Sequence, residues 1–289
     1  MQECILYKPE KNNSVRCLAC AHKCLIQKEK TGICRVRKNI DGKLYLLVYG
    51  KVASMHLDPI EKKPLYHFLP KTKTFSIGTL GCNFKCDFCQ NYGISQFDES
   101  SNNQIFGREI TPEAIVKEAV RTECKSIAYT YNEPVIFIEF VKDCAKLAHE
   151  NKLKNIMVTN GYWSEESFDF IKNFVDAVNI DLKSFNEKFY NKLCSAKLKP
   201  VLETIKRCYK NKIHVEITTL IIPGENDSEE ELEAIAKFIS KIDKNIPWHI
   251  SRFFPMYKML NKPVTKIETL EKAYEIGKKY LNYVYIGNV

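Results

Sequence analysis

The sequence has no run approaching the roughly 18 consecutive apolar residues that a membrane-crossing helix needs. Its first residues, Met1-Gln2-Glu3-Cys4-Ile5-Leu6-Tyr7-Lys8-Pro9, lack the apolar core of a signal peptide. Neither a membrane span nor a secretory leader is expected, and a cytoplasmic protein is. A dense block of Lys and Arg is also missing. The net charge of +9 is spread over Lys-rich stretches, which reads as a solvated face rather than the concentrated stripe that nucleic acid requires. No membrane and no nucleic-acid partner is therefore expected. Disorder is excluded by a hydrophobic content of 45% with 11% aromatics, enough for a large core. There are 12 cysteines in 289 residues. In a reducing compartment, clustered thiols bind metal rather than pair as disulfides.

Three of these thiols recur at C-x3-C-x2-C in Cys82-Asn83-Phe84-Lys85-Cys86-Asp87-Phe88-Cys89, just after a strand-like run at 74–80. Thiolates suit iron-sulfur chemistry. A cubane 4Fe-4S cluster on Cys82, Cys86 and Cys89 leaves one iron without a protein ligand and open to substrate. A structural zinc site normally closes with four ligands, and this stretch offers no obvious fourth thiol or His. The spacing, with Phe88 immediately before the last Cys, resembles the radical S-adenosylmethionine (radical SAM) family. The resemblance implies an open iron that takes the amino and carboxylate groups of SAM. It also implies one-electron cleavage of SAM to methionine and a 5′-deoxyadenosyl radical, with Phe88 near the adenine.

A second cluster lies upstream, Cys17-Leu18-Ala19-Cys20-Ala21-His22-Lys23-Cys24, followed by Thr31-Gly32-Ile33-Cys34. So short a segment cannot build its own core, whereas a bound metal can supply on the order of 10–16 kcal/mol of apparent binding energy. The expected ligands are Cys17, Cys20, Cys24 and Cys34, or three of these with His22. Zinc suffices for such a set, and a second iron-sulfur cluster relaying electrons is the alternative.

Two parts of the chain are expected: a Cys-rich metal-binding and hairpin segment over 1–70, and a barrel over 71–289. Within the first part, 43–49 reads as a strand with which 51–57 pairs. The three prolines of 58–70 exclude a regular helix or central strand there, leaving an ordered loop in which His67 packs. From Thr74 onward, strands at 74–80, 126–131, 155–160, 177–182, 214–222 and 248–254 alternate with helical stretches. This is an α/β pattern, and its six units predict a partial (β/α)6 TIM-like barrel. Thr111-Pro112 offers a helix N-cap and first-turn proline, while Ser228 with Glu231 and Thr265 with Glu268 fit capping boxes.

Ligand sites in parallel α/β folds lie at the carboxyl ends of the strands. Tyr131-Asn132-Glu133-Pro134 follows the second strand, where many radical SAM proteins have Gly-Gly-Glu-Pro. The resemblance assigns Asn132 and Glu133 to the SAM ammonium. Thr159-Asn160-Gly161 and Asp181-Leu182-Lys183 close the third and fourth strands and resemble motifs of glycyl-radical-enzyme activases, which brings Asn160 to the SAM site. Asp181 and Lys183, two apart, can reach one cavity; Lys183 pairs there with the SAM carboxylate, and Asp181 with ribose, ammonium or a bound cation. Thr218 stands where an activase often has Arg. On the last strand, either His249 or Arg252 faces substrate or SAM, since only one face can line the cavity. Among five scattered cysteines, Cys194 is the candidate redox or hydrogen-donor group. Nearly the whole chain resembles the radical SAM enzyme of the AmmeMemoRadiSam system, related to pyruvate formate-lyase activases. The resemblance implies hydrogen abstraction from a substrate, with a glycyl radical enzyme as one protein substrate. It also implies a low-potential electron donor such as flavodoxin or ferredoxin. An iron-sulfur electron-transfer or scaffold protein without SAM chemistry is the alternative.

Overall fold

The structure, a computed structural model, describes residues 1–96 and 105–289. Its centre is an eight-stranded sheet whose strands lie in chain order: β1 (Ser54–Pro59), β2 (Lys73–Gly78), β3 (Ser126–Tyr129), β4 (Lys154–Thr159), β5 (Ala177–Asp181), β6 (His214–Ile221), β7 (Trp248–Arg252) and β8 (Val284–Gly287). The seven from β2 to β8 run parallel, and β1 pairs antiparallel with β2 at one edge. Among the described residues no ladder joins β1 to β8, so the sheet is an open, partial barrel. The six expected strands are β2 to β7. The sequence reading lacked β8, whose four residues, Val-Tyr-Ile-Gly, carry too little alternation to stand out.

Helices α1 (Pro112–Arg121), α2 (Ile138–Glu150), α3 (Glu165–Ile171), α4 (Leu198–Lys210), α5 (Glu229–Ile242) and α6 (Ile267–Lys278) form the crossovers and bury one face each. Thr111 caps α1, its hydroxyl accepting from Ala114 N with Pro112 in the first turn. On α5 the expected box is half formed. Ser228 Oγ accepts from Glu231 N, but the Glu231 carboxylate is taken by Ser184 Oγ and Phe185 N. The box at Thr265 is absent: α6 begins at Ile267, and Thr265 Oγ1 instead donates to Ile221 O and accepts from Phe253 N. A buried hydroxyl bridging two barrel segments outcompetes a local cap.

The first fifty residues form two small antiparallel sheets. One joins Gln2–Glu3, Lys43–Leu46 and Arg37–Ile40, and the other joins Tyr7–Pro9, Val15–Cys17 and Leu25–Ile26. The expected pairing of 51–57 with 43–49 does not form. Lys51–Val52 pairs with Arg108–Glu109, and Ser54–Pro59 joins the large sheet as β1. This part is fastened to the barrel by an ion pair in which the Arg37 guanidinium forks onto the Glu139 carboxylate of α2, both almost fully buried. Arg37 Nε also donates to Ile136 O, and Glu139 accepts from Ile5 N and Leu6 N.

After β1 the chain turns through Ile60–Lys62 and crosses beneath the concave face of the sheet. Ile60 and Leu65 are buried against Ala128, Ile156 and Ala177 of β3, β4 and β5. Two residues further along the same face come Thr130, Val158 and Asn179, which line the central cavity. The strap therefore floors the half-barrel near the strands' amino ends and leaves the cavity open toward their carboxyl ends. It is anchored by Asp58, which receives Lys63 Nζ and Tyr131 Oη, each at 2.7 Å. Burial opposes the charge on Asp58, but these donors outweigh it and hold the carboxyl well below the usual range. His67 lies exposed, its Nε2 2.7 Å from Tyr285 Oη.

Candidate active site

A cavity of about 550 Å³ occupies the carboxyl end of the half-barrel, and Cys82, Cys86 and Cys89 all line it. The loop carrying them is pinned from three sides. Asn132 accepts from Thr79 N and donates to Thr79 Oγ1 and Gly81 O (3.2, 3.1 and 2.8 Å). Lys85 N and Asp87 N donate to the carbonyls of Cys194 and Leu193, in the π-helical turn Tyr190–Cys194. On the third side, Gly81 at φ +86° is so close to Cys34 that a Cβ would come 2.5 Å from its carbonyl oxygen, a fit open only to glycine. Cys194 lies fully buried behind Cys86, its thiol hydrogen-bonded to the Cys86 thiol, and does not line the cavity. The Cys194 hydrogen bond and burial together push the Cys86 thiol well above its ordinary pKa, and burial raises Cys82 and Cys89. Without metal, the three are thiols.

The facing wall is polar. Glu133, buried, accepts from Thr159 Oγ1 (2.7 Å), Asn160 N (2.7 Å) and Val135 N (3.0 Å). Burial nonetheless raises its pKa to about 7. Asn160 Nδ2 donates to Asn83 Oδ1 at 2.8 Å, joining this wall to the Cys loop. Asp181 and Lys183 form an ion pair of 3.0 Å, with Lys183 Nζ 5.6 Å from the centre of the Phe88 ring. Burial disfavours the Lys183 charge, yet Asp181 outweighs it and the ammonium is held well above its ordinary pKa. The cavity thus sets three thiols and an aromatic face on one side against a fixed cation and a carboxylate on the other.

The sequence profile of the Radical SAM superfamily matches residues 76–239, more than half of the chain. The chain belongs to the radical SAM superfamily. This family implies a 4Fe-4S cluster and SAM as cofactors. The chain is 46% identical to the Uncharacterized protein MJ0808 of Methanocaldococcus jannaschii, over 100% of this chain and 86% of that one. It is 30% identical to the Putative glycyl-radical enzyme activating enzyme MJ1632 of the same organism, over 71% and 77% of the two chains. A solved structure of TYW1 with a lysine-pyruvate adduct bound superposes with a TM-score of 0.55 over 79% of this chain and 80% of that one. At 15% identity, that likeness is one of fold.

In this radical SAM chain Cys17, Cys20, Cys24 and Cys34 line one small cavity of about 10 Å³, a space at the lower limit for one water. Among the described residues, no three His, Cys, Asp or Glu side chains are drawn closely enough together to hold an ion. Burial raises all four thiols. His22 borders the same cavity, but its Nε2 donates to Asn83 O at 2.9 Å, tying the segment to the Cys82–Cys89 loop. The buried Asn83 Nδ2 has no partner among the described residues, and Asn83 is one of the residues lining this cavity. A free amide donor beside four thiols fits a thiolate-held metal, whose sulfurs accept such bonds.

Of the two alternatives on β7, His249 lines the cavity, whereas Arg252 donates to Thr265 O and lies over Phe254. Behind His249 stands Glu216, which sequence reading missed. His214, Glu216 and Thr218 alternate on a strand otherwise apolar up to Ile217, and polar residues at every second place of a buried strand were the available signal. Thr159 was also missed as the hydroxyl between Glu133 and Trp163 Nε1. Among the described residues no helix is long and apolar enough to cross a membrane.

Proposed function

We propose that this radical SAM protein carries a 4Fe-4S cluster on Cys82, Cys86 and Cys89, reductively cleaves SAM, and abstracts hydrogen from a substrate held in the same cavity. What supports this reading most is that three thiols face the cavity while the nearby fourth, Cys194, stands behind them. Three ligands leave one position open, as in a catalytic site rather than a closed structural one. When bound, the cluster supplies the electron that cleaves SAM and an iron for its amino and carboxylate groups. The chain's own residues bind and orient. Lys183, fixed by Asp181, offers a cation to the SAM carboxylate, Asp181 accepts from ribose or ammonium, and Phe88 packs by the adenine. Asn132 positions the Cys loop, and Glu133 and Asn160 hold the facing wall against it, because their polar atoms are already engaged there. Loading the cluster displaces three protons from buried thiols, so metal uptake strengthens as pH rises.

The N-terminal segment, as we read it, binds a second metal through Cys17, Cys20, Cys24 and Cys34, with His22 serving as a tether to the Cys loop. Loss of zinc alone from Cys17→Ala protein assigns a structural site, and loss of iron assigns an electron relay. A low-potential donor such as flavodoxin or ferredoxin supplies electrons. The name of the relative MJ1632 favours a glycyl radical enzyme as the substrate. Reduced, reconstituted protein incubated anaerobically with SAM should release 5′-deoxyadenosine and methionine, and protein with Cys82, Cys86 and Cys89 all changed to Ala should release none. Release by the triple variant rejects the assignment, and clusters in the wild type without any SAM cleavage favour an electron-transfer or scaffold role.

A further inference from the structure

The cavity does not end at the SAM-facing wall. Toward the strap it continues to Thr218, His249 and Ser251, which the reading above does not use. His249 is 4% exposed, and its Nε2 lies 2.6 Å from Glu216 Oε2. Glu216 is fully buried and also accepts from His214 Nε2 (3.0 Å), Tyr66 N (3.0 Å) and His67 N (2.8 Å). Burial raises the Glu216 pKa, but these four donors outweigh it and bring the carboxyl down to about 2. Glu216 is therefore a carboxylate with only acceptor capacity, and His249 Nε2 must carry the hydrogen between them.

In that tautomer the Nδ1 lone pair is unused. Nδ1 has no hydrogen-bond partner among the described residues, and His249 lines the cavity. The ring is held edge-on to Tyr66 and stacked on Tyr285, with centroids 4.7 and 5.4 Å away, so its orientation is fixed by packing. The neighbouring Thr218 hydroxyl is committed as a donor to Asn179 Oδ1, and Asn179 Nδ2 donates to Pro64 O. An anionic group arriving here meets a lone pair with a buried carboxylate behind it, whereas an O–H or N–H group finds an acceptor.

We infer that the inner end of the cavity is a substrate subsite for a hydrogen-bond donor, a hydroxyl or an amine or amide N–H, accepted by His249 Nδ1. The inference rests on the radical SAM reading of the cavity and adds the class of group that the substrate presents. Glu216 is a positioning residue that fixes the tautomer.

The test follows the ring ¹⁵N signals of His249 in the cluster-loaded, oxidised protein, assigned by their loss in His249→Gln and, should that variant not fold, in His249→Asn. The expected result is a protonated Nε2 and a bare Nδ1. Glycinamide and ethylene glycol, as donor probes, should each shift Nδ1 toward the hydrogen-bonded range, while acetate and inorganic phosphate should not. A protonated Nδ1, a shift with the anions, or no shift with the donors overturns the subsite. SAM cleavage measured on the same wild-type preparation separates the two readings. If cleavage is absent while the donor probes shift Nδ1, the radical reading falls and the donor-accepting pocket stands.

Discussion

Glu216→Gln is the substitution on which the inner cavity can be judged most sharply. The carboxylate of Glu216 is brought from its ordinary 4.5 down to about 2 by four donors that outweigh its burial. At about 1.36 kcal/mol per pKa unit, that difference corresponds to about 3 kcal/mol of folding stability. Gln keeps the shape but has one acceptor oxygen. Its amide nitrogen must face either the Tyr66 N and His249 pair or the His67 N and His214 pair, so the loss near neutral pH is at least that large. The sign of the pH dependence follows from the depressed pKa: the stabilisation is present above about pH 4.5 and is lost as the pH falls through about 2. Urea unfolding of demetallated wild-type and Glu216→Gln protein, followed by circular dichroism at about pH 5 and about pH 2.5, reads both quantities. A gap under about 1 kcal/mol at the higher pH, or one that fails to narrow at the lower pH, refutes the description of Glu216 as a carboxylate held by four donors.

Two further substitutions probe the frame. Glu139→Ala leaves the buried Arg37 guanidinium without a counter-charge and should cost about 3–5 kcal/mol in urea unfolding. Replacing both partners by Met should recover much of that loss. Gly161→Ala places a Cβ 2.8 Å from Ile180 Cγ2 at a backbone φ of +71°. It should cost about 1–3 kcal/mol in the same assay and disturb the adjoining Thr159-Asn160 contacts to Glu133.

The parallel strands β2 to β7 were legible because each is a mainly apolar run bounded by helix signals, and the cavity side followed from the rule that ligand sites lie at carboxyl ends. The spacing of Cys82, Cys86 and Cys89 marked one loop, and all three line the cavity. What was not legible depended on partners remote in sequence. Asn132 and Glu133 stand in the expected place, yet their polar atoms serve Thr79, Gly81, Thr159 and Asn160, which only the folded register reveals. The strap was readable as irregular from its prolines, but its role as the cavity floor rests on Ile60 and Leu65 meeting β3, β4 and β5. Thr265 had the local sequence of a cap and was drawn instead to Ile221 O and Phe253 N. Local patterns carried the elements, and long-range hydrogen bonds decided which polar groups remained free.

The central claim is a cluster held by three thiolates, with one iron open to SAM. Its most direct test is the electron paramagnetic resonance spectrum of the anaerobically reconstituted, reduced protein, recorded with and without SAM. The account predicts a reduced 4Fe-4S signal that SAM changes and that is lost when Cys82, Cys86 and Cys89 are replaced by Ala. A signal indifferent to SAM, or one that survives in the triple variant, contradicts it.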